Sequence, residues 1–283
     1  SSSVSVVNGY NNTVVGRIPI NTSPEGIAVN PQTNLIYVAT GYDFIRVIDG
    51  STNTVVGTIP VEVGSNSVAI NSNTNRIYVT NRGCCPGHSL SVIDGATNSV
   101  ITTVPVGLSP RGVAVNPTTN RIYVANNSSR SVSVIDGFSN SLISTINLTG
   151  YPFGVAVNPN TNLIYVTSHV TNTVEVIDGS TNTVINSIPL PIGGQFTLGV
   201  NPNSNRVFVA AGSTLFIIDA YTNQVVSTLP VGPGAGGGGA NNVSVNPTTN
   251  RVYVTNFNGN TVSVIQDSVN QPPIVDAGGP YQV

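Results

Sequence analysis

Residues Gly112–Gly137, GVAVNPTTNRIYVANNSSRSVSVIDG, hold the unit from which nearly all of this 283-residue chain is built. Three runs rich in Val, Ile and Tyr lie within it, Val113–Asn116, Arg121–Asn126 and Val132–Ile135, and a fourth, Ser141–Ile146, follows. β-Branched and aromatic residues suit a pleated, half-buried surface, and nothing in the stretch has a helical period. Between the first two runs Asn116-Pro117 opens a turn. Pro presets the backbone for a type I turn, and the closing Asn120 tolerates the left-handed region. Asp136-Gly137 does the same work between the third and fourth runs. In the second run Ile122, Tyr123 and Val124 are apolar in succession, so both faces of that strand must be covered, as when one sheet stacks on the next.

Outward from this stretch the unit recurs. Asn30-Pro31, Asn116-Pro117, Asn158-Pro159, Asn201-Pro202 and Asn246-Pro247 mark the first turn, with Asn71-Ser72 in the remaining slot; successive Asn lie 41, 45, 42, 43 and 45 residues apart. The third strand closes on Asp49, Asp94, Asp136, Asp178 and Asp219, and on Gln266 in the sixth unit. Four strands in roughly 40–45 residues predict a β-propeller. The expectation is an all-β chain, a single β-propeller over residues 1–267 with six four-stranded blades, seven being the alternative. Val4–Ile20 matches only a third and a fourth strand, and the sixth unit lacks its fourth. Thr13–Ile18 is therefore expected to supply the missing strand and close the ring, leaving Val4–Val7 without a place. Residues 268–283 are expected to form an extended tail or linker.

The runs Tyr78-Val79-Thr80-Asn81 and Tyr253-Val254-Thr255-Asn256 resemble the YVTN family of β-propeller repeats, with Tyr123-Val124-Ala125-Asn126 a close variant. The resemblance spans residues 4 to 267. It implies a protein of the cell surface or of a surface layer. Asn270–Val283, NQPPIVDAGGPYQV, resembles the opening of a PKD domain, an immunoglobulin-like module of surface proteins.

Composition narrows the function. Only 7% of residues are charged, net charge is −2, and all nine basic residues are Arg, so no basic stripe offers a footing for nucleic acid. No apolar run is long enough to span a membrane. The chain contains no Met and begins SSSVSVV, as a processed, exported protein would. Six sequons, at Asn11, Asn21, Asn126, Asn127, Asn147 and Asn242, are candidate glycosylation sites.

Cys84-Cys85-Pro86-Gly87-His88 lengthens one loop between second and third strands. A structural zinc normally takes four ligands, so a vicinal disulfide of Cys84 and Cys85, or a bond to another subunit, suits an oxidising exterior better than a metal. The Asp-Gly-x-Thr-Asn turns place oxygens as calcium loops do but have too few carboxylates, and read as Asx-turns. Arg76, Arg121 and Arg206 fall opposite Asp94, Asp136 and Asp219 as cross-strand ion pairs. Gly232–Asn242, with no helix after it, reads as a surface loop and not a phosphate cradle.

Converging acid, base or nucleophile groups are not visible, so neither catalytic residues nor a cofactor is assigned, and the absence of Trp excludes a tryptophan-derived quinone. The expected function is a non-enzymatic, extracellular structural subunit of a surface layer, sheath or filament, with a homo-oligomer or polymer as its assembly. A glycan- or protein-binding adhesion module and a propeller hydrolase or lyase are the alternatives, the second because propeller enzymes disperse their residues in sequence. Any partner is expected on the face with irregular loops, at Tyr42, Asp43, His88, Tyr151 and Phe153. Ile274, Val275, Tyr281 and Val283 in the tail are expected to drive assembly by strand addition.

Overall fold

Each copy of the repeat folds as an antiparallel meander, because its two tight turns return the chain on itself within five or six residues. The computed structural model describes residues 2–83, 88–191, 196–235, 243–268, 274–275 and 281–282. A hairpin of β1 (Ser3–Asn8) and β2 (Thr13–Pro19) comes first. Blade one is β3 (Ile27–Asn30), β4 (Leu35–Ala39), β5 (Phe44–Asp49) and β6 (Thr54–Pro60). Blade two is β7 (Ser65–Asn71), β8 (Arg76–Asn81), β9 (Ser89–Asp94) and β10 (Ser99–Pro105). Blade three is β11 (Pro110–Asn116), β12 (Arg121–Asn126), β13 (Ser131–Asp136) and β14 (Ser141–Asn147). Blade four is β15 (Tyr151–Asn158), β16 (Leu163–His169), β17 (Thr173–Asp178) and β18 (Thr183–Pro189). Blade five uses β19 (Thr197–Asn201), one long β20 (Arg206–Asp219) and β21 (Gln224–Ala235). In blade six β22 (Val243–Asn246), β23 (Arg251–Asn256) and β24 (Thr261–Gln266) precede two short tail strands, β25 (Ile274–Val275) and β26 (Tyr281–Gln282).

The chain is thus an all-β propeller of six four-stranded blades, with no helix among the described residues. Two compact units divide it, Ser1–Pro152 and Phe153–Val283. In blade five β20 does the work of two strands: residues 206–210 pair with β19 and residues 212–219 with β21, and Gly212 between them has a φ of 64°.

Ring closure differs from expectation. β2 pairs with β1, not with β24, and the hairpin forms a two-stranded sheet of its own. Its turn is locally complete: Tyr10 N–H donates to Asn8 Oδ1 at 2.8 Å, and Asn12 N–H to Asn8 O at 2.8 Å. A partner a few residues away costs less closure entropy than one some 250 residues away. Val4–Val7, without a place in the sequence reading, is that partner. The open edge of β24 is taken instead by the tail, with Val275 opposite Ile265, Ile274 opposite Gln266, Tyr281 opposite Val262 and Gln282 opposite Thr261. The tail strands expected to reach a neighbouring molecule therefore pair within their own chain; Val283 lies outside the described residues.

The all-apolar second strands are explained by stacking. Tyr37, Tyr78, Tyr123 and Tyr165 are fully buried. Between blades one and two, Tyr37, Ile45, Val47 and Ile59 pack with Val68, Ile77, Val79 and Ile93. Blades five and six are joined likewise by Phe208, Leu215 and Ile217 against Val243, Val252 and Val254.

The Asn of the first turn has two tasks. Asn71 Oδ1 accepts the Asn73 N–H at 3.1 Å, an Asx-turn, while its Nδ2 donates to Asn120 Oδ1 of the next blade at 2.7 Å. Asn30 donates to Asn75 at 2.8 Å, Asn158 to Asn205 at 2.6 Å and Asn201 to Asn250 at 3.0 Å. The acceptors close their own turns in the left-handed region, with φ from 51° to 53°. One residue type thus sets the turn and registers the blade against its neighbour. The Asn of the Tyr-Val-x-Asn run is buried too: Asn81 Nδ2 donates to Ser89 and Ser91 Oγ, each at 2.9 Å.

On the outer strands the register slips at one equivalent place in every blade from one to five. Val47 faces Gly57 but Ile48 faces Val55, so Val56 is an extra residue; Ile101, Ile143, Ile185 and Val226 are its counterparts. These five are 44–56% exposed.

Candidate functional site

Strand one of each blade begins at the end that also carries the irregular second-to-third-strand loops. The residue two places before the apolar run of strand one differs in chemistry from blade to blade, although the strand after it is regular. In the first unit this position is Glu25, Asn66 and Arg111. Asn66 Nδ2 lies 3.5 Å from Glu25 Oε2. Arg111 is half-buried; burial, and then the charge of Arg82, lower its pKa from the ordinary guanidinium value, with Glu25 opposing the shift. Two guanidinium groups and one carboxylate therefore share this end of blades one to three, with Asn66 beside the carboxylate. Thr80 Oγ1 donates to Arg111 O at 2.9 Å and anchors that backbone to blade two.

Around this row, Ser89 Oγ donates to Glu62 Oε2 at 2.6 Å, and Ser109 N–H donates to His88 Nδ1 at 3.3 Å. Tyr42, 56% exposed, stacks on Phe44 with ring centroids 6.2 Å apart, and the Arg46 guanidinium lies 4.8 Å from the Phe44 ring centre. Arg130 sits 4.3 Å from the Tyr151 ring centre and donates to its hydroxyl at 2.5 Å. Of the residues proposed for partner contact, Tyr42 and Asp43 are exposed and His88, Tyr151 and Phe153 are partly buried. Tyr151 and Phe153 belong to β15 and not to a loop.

The remaining candidates fall as follows. Cys84 and Cys85 lie outside the described residues, as does Asn242; among the described residues no three His, Cys, Asp or Glu gather as for a metal ion. Asn11, Asn21 and Asn147 are exposed and Asn127 is half-buried, with Nδ2 donating to Pro152 O at 3.0 Å. Asn126 is a correction. It is completely buried, and its Nδ2 is held by Ser131 and Ser133 at 3.2 and 2.9 Å, so no glycan can reach it.

The turn Asp residues are Asx-turn formers. Asp49 Oδ1 accepts the Ser51 N–H at 2.7 Å, and Asp94, Asp136, Asp178 and Asp219 repeat the bond at 2.7–2.9 Å. The Ser51 hydroxyl and then its N–H hold the Asp49 carboxyl below the usual range; for Asp136 the Ser139 N–H is the largest cause, and for Asp94 the hydrogen bond from Arg76. Arg76 and Asp94 form the expected pair at 2.5 Å. Arg206 does not pair with Asp219. Its Nη1 lies 2.8 Å from Asp267 Oδ1, and the buried Asp267 also accepts from Asn201 at 2.6 Å and from Ser204.

No protein family and no curated protein matches the chain. Solved structures do match. Kuenenia stuttgartiensis hydrazine synthase aligns with a TM-score of 0.83 at 20% identity, over 95% of this chain and 90% of that one. Dihydro-heme d1 dehydrogenase NirN in complex with DHE aligns at 0.70 and 16%, over 99% of this chain and 62% of that one. The fold is shared.

These likenesses correct the expectation of a non-enzymatic surface-layer subunit: the propellers that this chain resembles are titled as enzymes. Equivalent positions such as 25, 66 and 111 are some 40 residues apart in sequence, so a row built from them leaves no local motif. Writing the repeats beneath one another brings the row into view, because Glu, Asn and Arg stand at one position of the unit.

Proposed function

We propose that this chain is the propeller of an enzyme that takes a small anionic substrate at the strand-one ends of blades one to three. The observation that carries the reading is the half-buried Arg111, brought near a second guanidinium, Arg82, with Glu25 as the carboxylate beside them. Like charges held together out of water favour an anion between them. In this reading Arg111 and Arg82 hold a carboxylate or phosphate group, Asn66 orients Glu25, and Glu25 takes a proton from the substrate. That division of labour suits a hydrolase or lyase. The enzyme titles of the similar propellers support it.

Binding of citrate and inorganic phosphate by calorimetry, followed by turnover of a panel of lactones, esters and hydroxy-acids, tests this. Arg111→Met should abolish anion binding, and Glu25→Gln should leave binding while removing turnover. Wild-type protein that neither binds these anions nor turns over any of the panel refutes it.

A second reading rests on the exposed Tyr42 ring, stacked on Phe44, as a platform for a sugar face or an apolar side chain of a partner. The YVTN-type repeat, the PKD-like tail, an extracellular location and self-association belong to the proposal as well, supported by the Tyr-Val-Thr-Asn runs, the tail sequence and the charge-poor, Met-free composition.

A further inference from the structure

His88 closes the loop that Arg82 opens. Asn81 faces Ser89 on the last rung between β8 and β9. Asn81 Nδ2 reaches Ser89 and Ser91, and Ser89 Oγ donates to Glu62, so these side chains look toward the segment entering blade two. Side chains alternate across a strand, so Arg82 and His88, one step beyond that rung, point the other way. Both meet the segment entering blade three. The charge of Arg82 is felt at Arg111, and Ser109 N–H, two residues before Arg111, donates to His88 Nδ1 at 3.3 Å. Ser109 is an unusual donor: its φ is 53°, in the left-handed region that a residue with a Cβ seldom takes. Its posture is fixed from the far side, where its O accepts the Asn127 N–H at 3.0 Å and its Oγ accepts from Ser128 at 2.8 Å. In blade two Gly64 holds this position with a φ of 84°, and its N–H donates to a peptide oxygen, Tyr42 O, at 3.1 Å. Blade three has an imidazole in place of that oxygen. A backbone N–H can only donate, so Nδ1 is the acceptor and the proton of the neutral ring sits on Nε2. His88 is partly buried, and Nε2 makes no hydrogen bond among the described residues.

We propose that His88 is a third donor of the anion site, giving its Nε2 hydrogen to the oxyanion that Arg82 and Arg111 hold. The assignment rests on the anion reading above. A neutral imidazole suits the place, because it hydrogen-bonds the ligand without adding a third positive charge to two neighbouring guanidiniums. Glu25 remains the group that takes the proton, and His88 steadies the charge that gathers on a substrate oxygen. A merely structural His88 would accept from Ser109 and do nothing more.

The chain has two histidines, His88 and His169, so ring signals are assigned by elimination in His169→Gln. Long-range nitrogen–proton spectra of the labelled protein at mildly alkaline pH should show the His88 proton on Nε2. Titration with inorganic phosphate, and in parallel with citrate, should move the His88 ring signals saturably, in step with the calorimetric isotherm, and leave those of His169 in place. Arg111→Met should remove the response. His88→Asn keeps an oxygen for Ser109 N–H but has nothing at the place of Nε2. Its unfolding midpoint should match the parent's, and its affinity for the anion should fall by roughly tenfold or more, as for loss of a hydrogen bond to a charged group. A proton on Nδ1 overturns the proposal, as do His88 signals indifferent to an anion whose binding depends on Arg111; in both cases the anion site itself stands. Protein that binds neither phosphate nor citrate overturns the site and the assignment together, so the two failures are distinct.

Discussion

Replacing Asn71 by Ala separates the two tasks of the turn Asn. Asn71 is completely buried; it accepts from Asn73 N–H and donates to Asn120 Oδ1 at 2.7 Å. Losing the Asx-turn bond alone costs about 0.5–1.5 kcal/mol. Losing the amide also strands Asn120 Oδ1, on a residue 4% exposed, which adds about 1–3 kcal/mol for a buried unpaired acceptor. Together they come to about 1.5–4.5 kcal/mol. Asn246 provides the internal control, since it is exposed and its described bonds are those of its turn, from Thr248 and Thr249 at 3.0 and 3.2 Å. Asn246→Ala should therefore cost only about 1 kcal/mol. Urea unfolding followed by circular dichroism measures both, and the Asn71→Ala, Asn120→Ala double-mutant cycle should return a coupling of about 0.5–3 kcal/mol. Equal losses at Asn71 and Asn246, with no coupling in the cycle, would refute the relay as a source of stability.

Three further outcomes follow from the same geometry. Gly26→Ala places a Cβ 2.6 Å from Asn66 O and should destabilise by about 1–3 kcal/mol, whereas Gly57→Ala, whose nearest neighbour is Val47 Cβ at 3.6 Å, should be tolerated; thermal melts compare them. Arg206→Met leaves the buried Asp267 without its ion partner and should cost about 3 kcal/mol, against less than about 1 kcal/mol for Arg76→Met, whose pair is about one-third exposed, as read from urea midpoints. Because the folded-state carboxyls of Asp49, Asp94 and Asp136 are lowered, their contribution is present above the unfolded value near ~3.9 and is lost as pH falls through the folded value. The urea midpoint should hold from pH 7 to about 5 and fall below about 4, and a midpoint that rises on acidification would contradict the assignment.

The repeat was legible because its turns are chemical: Asn-Pro and Asp-Gly fix four strand ends in every unit whatever the neighbours do. Six blades and the cross-strand pairs of Arg76 and Arg121 follow from counting between those turns. What failed needed partners from far away. The edge of β24 had two candidate strands, one at each end of the chain, and composition did not distinguish them. Arg206 was matched to Asp219 by counting, but the chain places Asp267 beside it from 61 residues beyond. The row of Glu25, Asn66 and Arg111 escaped because its members belong to separate units, so that nearness in space leaves no nearness in sequence.

The extra residue in each outer strand has a consequence for crowded solution. A straight, open strand edge is a template on which another chain can extend the sheet. Here the backbone steps out of register at Val56, Ile101, Ile143, Ile185 and Val226, so an incoming strand meets matched donors and acceptors for only a few residues before the ladder goes out of phase. Many proteins guard such edges with Lys, which this chain does not contain, and only 7% of its residues are charged. Geometry takes the place of charge here, shortening the run over which a foreign strand can pair at these edges with no call on salt-dependent repulsion.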